Sequence, residues 1–301
     1  MINKNILLNK ILCGDVVEQL KKIPKESVDL VVADPPYWKV INEKWDYQWR
    51  TEQDYIEWSK GWIKEVYKVL KLGKTFYLFG YFKTLALLLP ELQKIGFTLK
   101  QQIIIDKGMR SVSGRATKNY KIFPNVTESI LYLYKDSRQF IKPFLKERQV
   151  AKKLSSKKIN ELLGVKSNGG GMWSIYTGKN ICEQIPTKEY WHKLQKILDF
   201  TLPYENVSII FNPQMGYTDV WTDIDFYKEK RFHPTQKPTK LIKRLITASS
   251  NKGMVVLDPF IGAGSTALAA KELERNYIGI DIDKKYCKIT EERIKDLKKL
   301  N

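Results

Sequence analysis

Short apolar runs alternate with longer stretches of helical periodicity along most of the chain. The apolar runs predict strands at residues 6–13, 28–33, 75–79, 98–105, 128–134, 254–257 and 277–280. Apolar residues at helical spacing occur between them, at residues 54–70, 82–95 and 239–248. This alternation predicts an α/β fold with a doubly wound, mostly parallel sheet of seven strands. We expect the last two strands to insert beside the first ones, so that both ends of the chain build one domain.

The pattern changes in the middle of the chain. Short basic helices are predicted at residues 145–154 and 157–163, the second with Ser155 or Ser156 as N-cap and Gly164 as its stop. A glycine-rich turn follows at residues 167–173, and Pro186-Thr187 opens another helix that runs through Leu198. We therefore expect one α/β domain at residues 1–137 and 213–301, interrupted by a small, mostly helical insert at residues 138–212.

The first predicted chemistry lies at Asp34-Pro35-Pro36-Tyr37, directly after the strand at residues 28–33. The prolines restrict the backbone, so Asp34 and Tyr37 are held in a rigid turn at a strand end. A carboxylate beside a free carbonyl suits an amino group with two N–H bonds, and the tyrosine ring offers a face for stacking. A Pro-Pro turn can also simply end a strand, so a second motif is needed.

That second motif is a glycine turn near the other end of the chain. The strand that ends in Asp258-Pro259-Phe260 continues into Ile261-Gly262-Ala263-Gly264-Ser265-Thr266 and then a helix. The next strand ends in Asp281, whose carboxylate can accept hydrogen bonds from a ribose. The same glycines fit a dinucleotide fingerprint, so a nicotinamide or flavin enzyme is a competing interpretation. However, the glycine motif lies in the last fifth of the chain, which leaves too few residues for the second half of a dinucleotide-binding domain.

Together these motifs resemble the beta class of DNA amino-methyltransferases, in which a catalytic DPPY comes first and an FxGxG cofactor loop comes last. Leu12-Cys13-Gly14-Asp15 is similar to the family's adenine-contacting strand end, and His233-Pro234-Thr235-Gln236-Lys237-Pro238 to the lead-in of its cofactor-side helix. The resemblance implies catalytic roles for Asp34, Pro35, Pro36 and Tyr37. The cofactor residues that it implies are Asp15, Lys237, Asp258, Phe260, Gly262, Gly264, Ser265, Thr266 and Asp281.

The resemblance also implies the reaction: methyl transfer from S-adenosylmethionine to N6 of an adenine flipped out of duplex DNA. In this family DPPY usually accompanies adenine and SPPY accompanies cytosine N4, so cytosine N4 is the alternative target. A methyltransferase for RNA or for a protein amide is a further alternative, although in the protein-glutamine enzymes the cofactor loop precedes the Pro-Pro turn. Restriction-modification members of the family imply a homodimer and a cognate restriction endonuclease as partners besides DNA, and a target-recognition role for the insert.

Charge supports a polyanionic partner. The chain carries 52 Lys+Arg against 33 Asp+Glu, a net charge of +19, and residues 101–200 hold 19 basic against 8 acidic residues. An AT-rich coding bias would add lysines, but it would not concentrate them in the middle third. The candidate DNA contacts are Arg110, Arg115 and Lys118 in the loop at residues 106–125, and Lys152, Lys153, Lys157, Lys158, Lys166 and Asn168 in the insert. A helical lid or a dimer contact is the alternative for the insert.

The three cysteines, Cys13, Cys182 and Cys287, are far apart in the chain, which favours a reducing, cytoplasmic location. None follows a proline as the nucleophile of carbon-5 cytosine methyltransferases does. His192 and His233 do not form a metal-ligand spacing with them, so no metal site is predicted. No apolar run is long enough to cross a bilayer, and no membrane partner is expected.

Overall fold

The structure is a computed structural model that describes residues 7–38, 48–112, 123–165, 171–178, 184–233 and 235–297. The chain divides into two compact units. The first, here called the sheet unit, comprises Met1–Lys135 and Ile210–Asn301. The second, the helical unit, comprises Asp136–Ile209.

The sheet unit is built on one eight-stranded sheet with the order β1-β8-β7-β2-β3-β5-β4-β6. Its strands are β1 Lys10–Cys13, β2 Val28–Ala33, β3 Leu70–Gly80, β4 Phe97–Asp106, β5 Thr127–Lys135, β6 Val220–Trp221, β7 Val255–Asp258 and β8 Asn276–Asp281. Only β5 runs antiparallel to its neighbours, β3 and β4, and every other pairing is parallel. The seven predicted strands are confirmed, and the last two insert between β1 and β2 as expected. The two-residue edge strand β6 was not predicted.

Helices cover both faces of this sheet. They are α1 Val16–Leu20, α2 Glu52–Val69, α3 Phe82–Ile95, α8 Thr239–Ser249, α9 Ser265–Glu272 and α10 Lys284–Leu297. Alternate residues of β2 face opposite sides, because side chains alternate along a strand. Val31 and Ala33 pack with Trp62 and Leu88 on one face, while Leu30 packs with residues of α8, α9 and α10 on the other. The doubly wound α/β prediction is therefore confirmed.

Helix ends follow local sequence signals. Thr51 and Asp54 form a capping box at the start of α2. Gly96, with φ of +117°, ends α3 in the left-handed region, where glycine has no Cβ penalty. The first and last helices, α1 and α10, were not predicted. None of the helices in the described residues is both long and apolar enough to cross a membrane.

The helical unit consists of short helices around its own apolar core. They are α4 Arg138–Ala151, α5 Ser156–Leu162, α6 Gly171–Thr177 and α7 Lys188–Leu198. Trp173 and Trp191 are the largest buried side chains of this core. The Ser155 hydroxyl caps α5 by accepting from the Lys158 amide at 3.1 Å, and Gly164 follows the helix with φ of +74°. These two predictions are confirmed.

Both boundaries of one helix in this unit were predicted wrongly. The helix expected at residues 145–154 begins at Arg138 and ends at Ala151. Pro143 lies inside its second turn, and a proline there usually argues against a helix. Ile141 and Leu145 are both buried, so packing holds the turn that contains the proline. Of the glycine-rich turn predicted at residues 167–173, residues 167–170 lie outside the described residues. The prediction is wrong for residues 171–173, which form the start of α6.

Candidate active site

Four aspartates stand at the carboxyl ends of four neighbouring parallel strands, β1, β8, β7 and β2. In that order they are Asp15, Asp281, Asp258 and Asp34. Because neighbouring parallel strands end at the same edge of a sheet, their carboxyl groups gather around one opening. A cavity of about 730 Å³ lies there, within the sheet unit, and all four aspartates line it. The sheet therefore joins candidate residues from both ends of the chain in one site.

Asp34 belongs to a buried cluster of charged groups. Its Oδ2 lies 2.8 Å from Lys237 Nζ, and the same ammonium lies 2.9 Å from Glu128 Oε1. The Tyr37 hydroxyl lies between the carboxylates, 2.7 Å from Asp34 Oδ1 and 2.6 Å from Glu128 Oε1. The side chains of Lys237 and Glu128 are 8% and 3% exposed, whereas that of Asp34 is 21% exposed. Asp34 is therefore the charged member most open to the cavity.

Burial and charge shift the pKa values of this cluster in opposite directions. Burial raises the pKa of Asp34, and the ammonium of Lys237 only partly offsets it. Burial also disfavours the charged form of Glu128, but Lys237 and Lys107 outweigh it and lower the pKa of that carboxyl. For Lys237, burial is opposed by two adjacent carboxylates, which together raise the pKa of its ammonium. Glu128 and Lys237 are thus a stable ion pair beside a more adaptable Asp34.

Aromatic rings surround the same cluster. The Tyr37 ring packs edge-on against Tyr81 with 5.4 Å between centroids. The Lys107 ammonium lies 5.1 Å from the Tyr81 ring centroid and 4.0 Å from Glu128 Oε2. Lys107 opens the loop that we expected to bind phosphate, but its side chain is only 15% exposed and lines the cavity. It is therefore part of this cluster.

The glycine turn closes another side of the cavity. Gly262 has φ of +49°, and a Cβ built there meets only the Phe260 carbonyl oxygen, at 4.0 Å. The amide of Gly262 donates to Asp281 Oδ2 at 2.9 Å, which ties the turn to the end of β8. The floor beneath it is aromatic, since the Phe260 ring packs edge-on against Trp62 at 5.0 Å. The turn leaves open space at the cavity wall, where a cofactor can approach the backbone.

Gly264 has a different task from Gly262. Of the nine predicted cofactor residues, it is the one that does not line the cavity. It precedes α9 with φ of +86°, and a Cβ there would lie 2.6 Å from Thr290 Cγ2. A residue with a Cβ would be strained both by the backbone conformation and by α10. Gly264 therefore permits the close packing that positions the turn.

Asp258 and Asp15 line the cavity, but their carboxylates accept hydrogen bonds from neighbouring groups of the chain. Asp258 accepts from the Thr266 hydroxyl at 2.5 Å and from the Phe260 amide at 2.9 Å. Burial raises the pKa of Asp258 to about 7, against the lowering effect of these hydrogen bonds. Asp15 caps α1, its Oδ1 accepting from the amides of the next turn at 2.9 Å and 3.1 Å. Both carboxylates thus shape the loops that form the cavity walls.

A sequence profile described as DNA methylase, covering N6 and N4 methyltransferases, matches residues 28–292. The chain belongs to this DNA methylase family. It is 28% identical over 312 residues to the Type II methyltransferase M.HinfI of Haemophilus influenzae, covering 98% of this chain and 71% of that one. It is 29% identical to the DNA adenine methyltransferase YhdJ of Escherichia coli, covering 93% of this chain and 80% of that one.

The fold is also that of solved methyltransferases. The crystal structure of an M1.HpyAVI complex with S-adenosylmethionine superposes with a TM-score of 0.56 at 20% identity. The superposition covers 94% of this chain and 98% of that one. At this level of identity the likeness establishes the fold, and the roles of individual residues rest on the site itself.

Within this DNA methylase, the predicted DNA-contacting residues are only partly described. Arg110 is exposed in a short 3₁₀ turn, Met109–Val112. In the helical unit Lys152 pairs with Asp199 at 2.8 Å and Lys158 pairs with Glu161 at 3.0 Å. Lys153 and Lys157 are exposed. Arg115, Lys118, Lys166 and Asn168 lie outside the described residues, so their placement stays a prediction.

Sequence reasoning missed Glu128, although it lines the cavity of this methylase. The sequence carried only a weak signal, because Glu128 and Ser129 precede the apolar residues of β5, and the burial of that carboxylate is apparent only in the fold. Its partners could not be inferred. Tyr37, Lys107 and Lys237 lie in three different segments, and only the folded sheet brings them to Glu128.

Proposed function

We propose that this DNA methylase transfers a methyl group from S-adenosylmethionine to N6 of an adenine flipped out of duplex DNA. One observation carries the proposal: Asp34 and Tyr37 share a single cavity with Gly262 and Asp281. A catalytic turn and a nucleoside-binding turn are therefore within reach of one pair of ligands. The relative named as a DNA adenine methyltransferase supports the choice of adenine.

The residues around the glycine turn fit S-adenosylmethionine. The Asp281 carboxylate lines the cavity at the end of β8 and supplies an acceptor for ribose hydroxyls. Open space beside Gly262 allows close approach to the backbone, and Ser265 and Thr266 line the same wall at the start of α9. Phe260 adds an apolar surface. This set would bind the nucleoside part of the cofactor and leave its reactive end toward Asp34.

The turn after β2 fits the exocyclic amine of a base. The Asp34 carboxylate and the Pro35 carbonyl would each accept one N–H of that amine, and the Tyr37 ring would stack on the base. Flipping an adenine costs a few kcal/mol, which stacking and hydrogen bonding offset. These contacts would hold the amine nitrogen with its lone pair directed at the methyl donor.

When bound, S-adenosylmethionine would supply an electrophilic methyl group, and its sulfonium sulfur would become a neutral thioether as the C–S bond breaks. As the new N–C bond forms, the amine nitrogen becomes cationic, and the adjacent Asp34 carboxylate stabilises that charge. The nitrogen then releases one proton, which the adjacent Asp34 carboxylate would accept. Asp34 need not be a strong base, because the N–H is acidic only once the nitrogen carries a positive charge.

Binding of DNA is assigned to exposed basic residues. Lys153 and Lys157 of the helical unit and Arg110 of the sheet unit are exposed, and Arg115, Lys118, Lys166 and Asn168 complete the proposed set. The helical unit is proposed to recognise the target sequence. A second copy of this chain, a cognate restriction endonuclease and a cytoplasmic location remain proposals. The Type II name of a relative supports the endonuclease.

The decisive experiment identifies the modified base. The purified chain is incubated with unmethylated DNA and methyl-labelled S-adenosylmethionine, and the digested nucleosides are separated by mass spectrometry. We expect N6-methyladenine and no 5-methylcytosine. Label in N4-methylcytosine would establish the alternative target that the family also contains, and label only in RNA or protein would refute a DNA substrate.

A further inference from the structure

The Asp34 cluster contains more charge than methyl transfer to an amine requires. Glu128 lies at the start of β5, and β3 separates that strand from β2 in the sheet. Its carboxylate nevertheless reaches the Tyr37 hydroxyl at 2.6 Å and the Lys237 ammonium at 2.9 Å. Burying a carboxylate and an ammonium is costly, and a buried pair often stabilises a fold less than apolar residues would. A pair held at this place suggests a role in the reaction.

Asp34 and Glu128 flank the ammonium of Lys237, so these three side chains together carry one net negative charge. Lys107 adds a more distant ammonium, 4.0 Å from Glu128 Oε2, whereas Lys237 contacts Oε1. Lys237 alone would cancel the charge of Asp34 at the point where the amine nitrogen becomes cationic. Glu128 restores that charge while Lys237 keeps Asp34 in place.

The pair is also tied to the cofactor side of the cavity. The backbone carbonyl of Lys237 accepts from the Ser265 hydroxyl at 2.8 Å, at the first residue of α9. The Lys237 ammonium lies 5.4 Å from the centroid of the Tyr37 ring and 5.4 Å from that of Phe79. One lysine thus touches the glycine turn through its backbone and the catalytic turn through its side chain.

We propose that Glu128 and Lys237 are positioning residues for Asp34: Lys237 orients the Asp34 carboxylate, and Glu128 offsets the positive charge of Lys237 so that Asp34 keeps its negative charge beside the reacting amine. This inference rests on the proposed function, because it assigns Asp34 to the amine. Neither residue of the pair needs to touch the base. Tyr37, held between both carboxylates, is oriented by the same arrangement.

Because Glu128 and Lys237 carry opposite charges, neutralising one or the other should shift the pKa of Asp34 in opposite directions. Neutralising Glu128 leaves Lys237 to Asp34 alone, which lowers the pKa of Asp34 and removes one negative charge from the cluster. Neutralising Lys237 leaves two carboxylates facing each other, which raises the pKa of Asp34. If the pair had only a structural role, either substitution would lower stability, and the two would not shift the pKa of Asp34 in opposite directions.

Other titratable groups face the cluster and are present in every variant compared, including Asp258, which with a pKa of about 7 titrates in all of them. Lys107 lies 4.0 Å from Glu128, and Asp258 interacts with Asp34 from the end of β7. His233 lies on the loop before α8, where burial and the charge of Lys237 lower its pKa to about 4, so it stays neutral above pH 5. Tyr37 stays protonated, because burial raises its pKa well above the usual value.

The experiment measures single-turnover methylation of DNA between pH 5 and 9 for the wild type, Glu128→Gln, Lys237→Met and the double variant. We expect Glu128→Gln to lower the plateau rate roughly 10- to 100-fold, as loss of other orienting residues does. Its acid limb should move to lower pH by about one unit, and that of Lys237→Met to higher pH by about as much. The double variant recovers the net charge, so its acid limb should return toward that of the wild type.

Asp29→Asn is the matched control. Asp29 is a buried carboxylate on the same strand as the turn that carries Asp34, and it pairs with Lys71 at 2.7 Å. Its loss should lower the melting temperature without moving the acid limb. Melting temperatures of the cluster variants give a second readout. The melting temperature of the double variant should fall by less than the sum of the decreases in the two single variants.

Acid limbs that move in the same direction, or that stay at the wild-type position in folded variants, would overturn the inference. So would a double variant with a lower plateau than Glu128→Gln. If one single variant does not fold, the double variant and the remaining single variant still show in which direction the acid limb moves. A wild type that methylates no DNA would refute the proposed function, and the melting-temperature cycle would still test the coupling of Glu128 with Lys237.

Discussion

At the scale of single residues, the four aspartates of the cavity are alike in position and different in surroundings. Asp34 contacts the Tyr37 hydroxyl and the Lys237 ammonium, Asp281 accepts from backbone amides while remaining half-buried, and Asp258 is enclosed by Thr266 and the Phe260 amide. Environment, and not residue type, separates their tasks. Substitutions of these carboxylates should therefore affect different steps.

Asp34→Asn and Asp281→Asn should separate transfer from cofactor binding. The first change removes the charge beside the amine, so turnover should fall roughly 100-fold or more while the Kd for S-adenosylmethionine stays close to wild type. The second weakens acceptance from the ribose, and the Kd should rise roughly 10- to 100-fold. Titration calorimetry gives the cofactor Kd, and steady-state kinetics gives turnover. An Asp34→Asn protein that loses cofactor binding and recovers turnover at high cofactor concentration would contradict the assignment.

Asp258→Asn should change how stability depends on pH. The native pKa of Asp258 is raised from 3.8 to about 7, so between these values the folded chain holds a proton that the unfolded chain has released. This group therefore makes the free energy of unfolding fall as pH rises through that window, by at most about 1.4 kcal/mol per pH unit. The variant lacks the effect, and its stability relative to wild type should increase from pH 4 to pH 7.

Urea unfolding of both proteins at several pH values tests this. Asparagine keeps an oxygen for Thr266 or for the Phe260 amide, so the turn should still form. Parallel stability curves for the two proteins would mean that Asp258 titrates near its ordinary value.

At the scale of helices and strands, local signals determined what the sequence could predict. The helix expected at residues 82–95 is α3 with the same bounds, because an apolar stripe runs directly into the left-handed Gly96. The strand β6 has two residues and no pattern of its own, and it exists because β4 offers an edge. Pro143 hid the first two turns of α4, where packing outweighs helix propensity. Propensity thus predicted long elements, and tertiary contacts determined the rest.

The candidate site shows the same division. Asp34 and Asp281 could be predicted because each follows a strand whose end carries chemistry in a parallel sheet. Glu128 could not, because β5 is antiparallel and brings the start of a strand to the edge where the others end. Reversal of one strand thus adds a carboxylate that no motif marks. The distance between Asp34 and Glu128 along the chain gives no hint that one tyrosine hydroxyl touches both.

At the scale of the whole molecule, the net charge of +19 is a physical argument for DNA but does not identify the residues that touch it. Many basic side chains are already used within the fold. Lys152 and Lys158 of the helical unit pair with Asp199 and Glu161, and Lys107 lies inside the cavity. Exposed lysines that carry the excess charge of the helical unit are better candidates for phosphate contacts than lysines whose charge is already balanced.

Lys153→Ala with Lys157→Ala should accordingly weaken DNA binding and flatten its dependence on salt. Each lost phosphate contact lowers the slope of log K against log salt by roughly 0.9, so a slope smaller by about 1.8 is expected if both lysines contact phosphates. The loss should be the same for every DNA sequence, because phosphate contacts position a protein without reading bases. Lys21→Ala with Lys252→Ala, two exposed lysines of the sheet unit, removes the same net charge and serves as control. Fluorescence anisotropy over a range of salt concentrations measures both slopes, and equal slopes for the two double variants would show that the helical unit acts only through net charge.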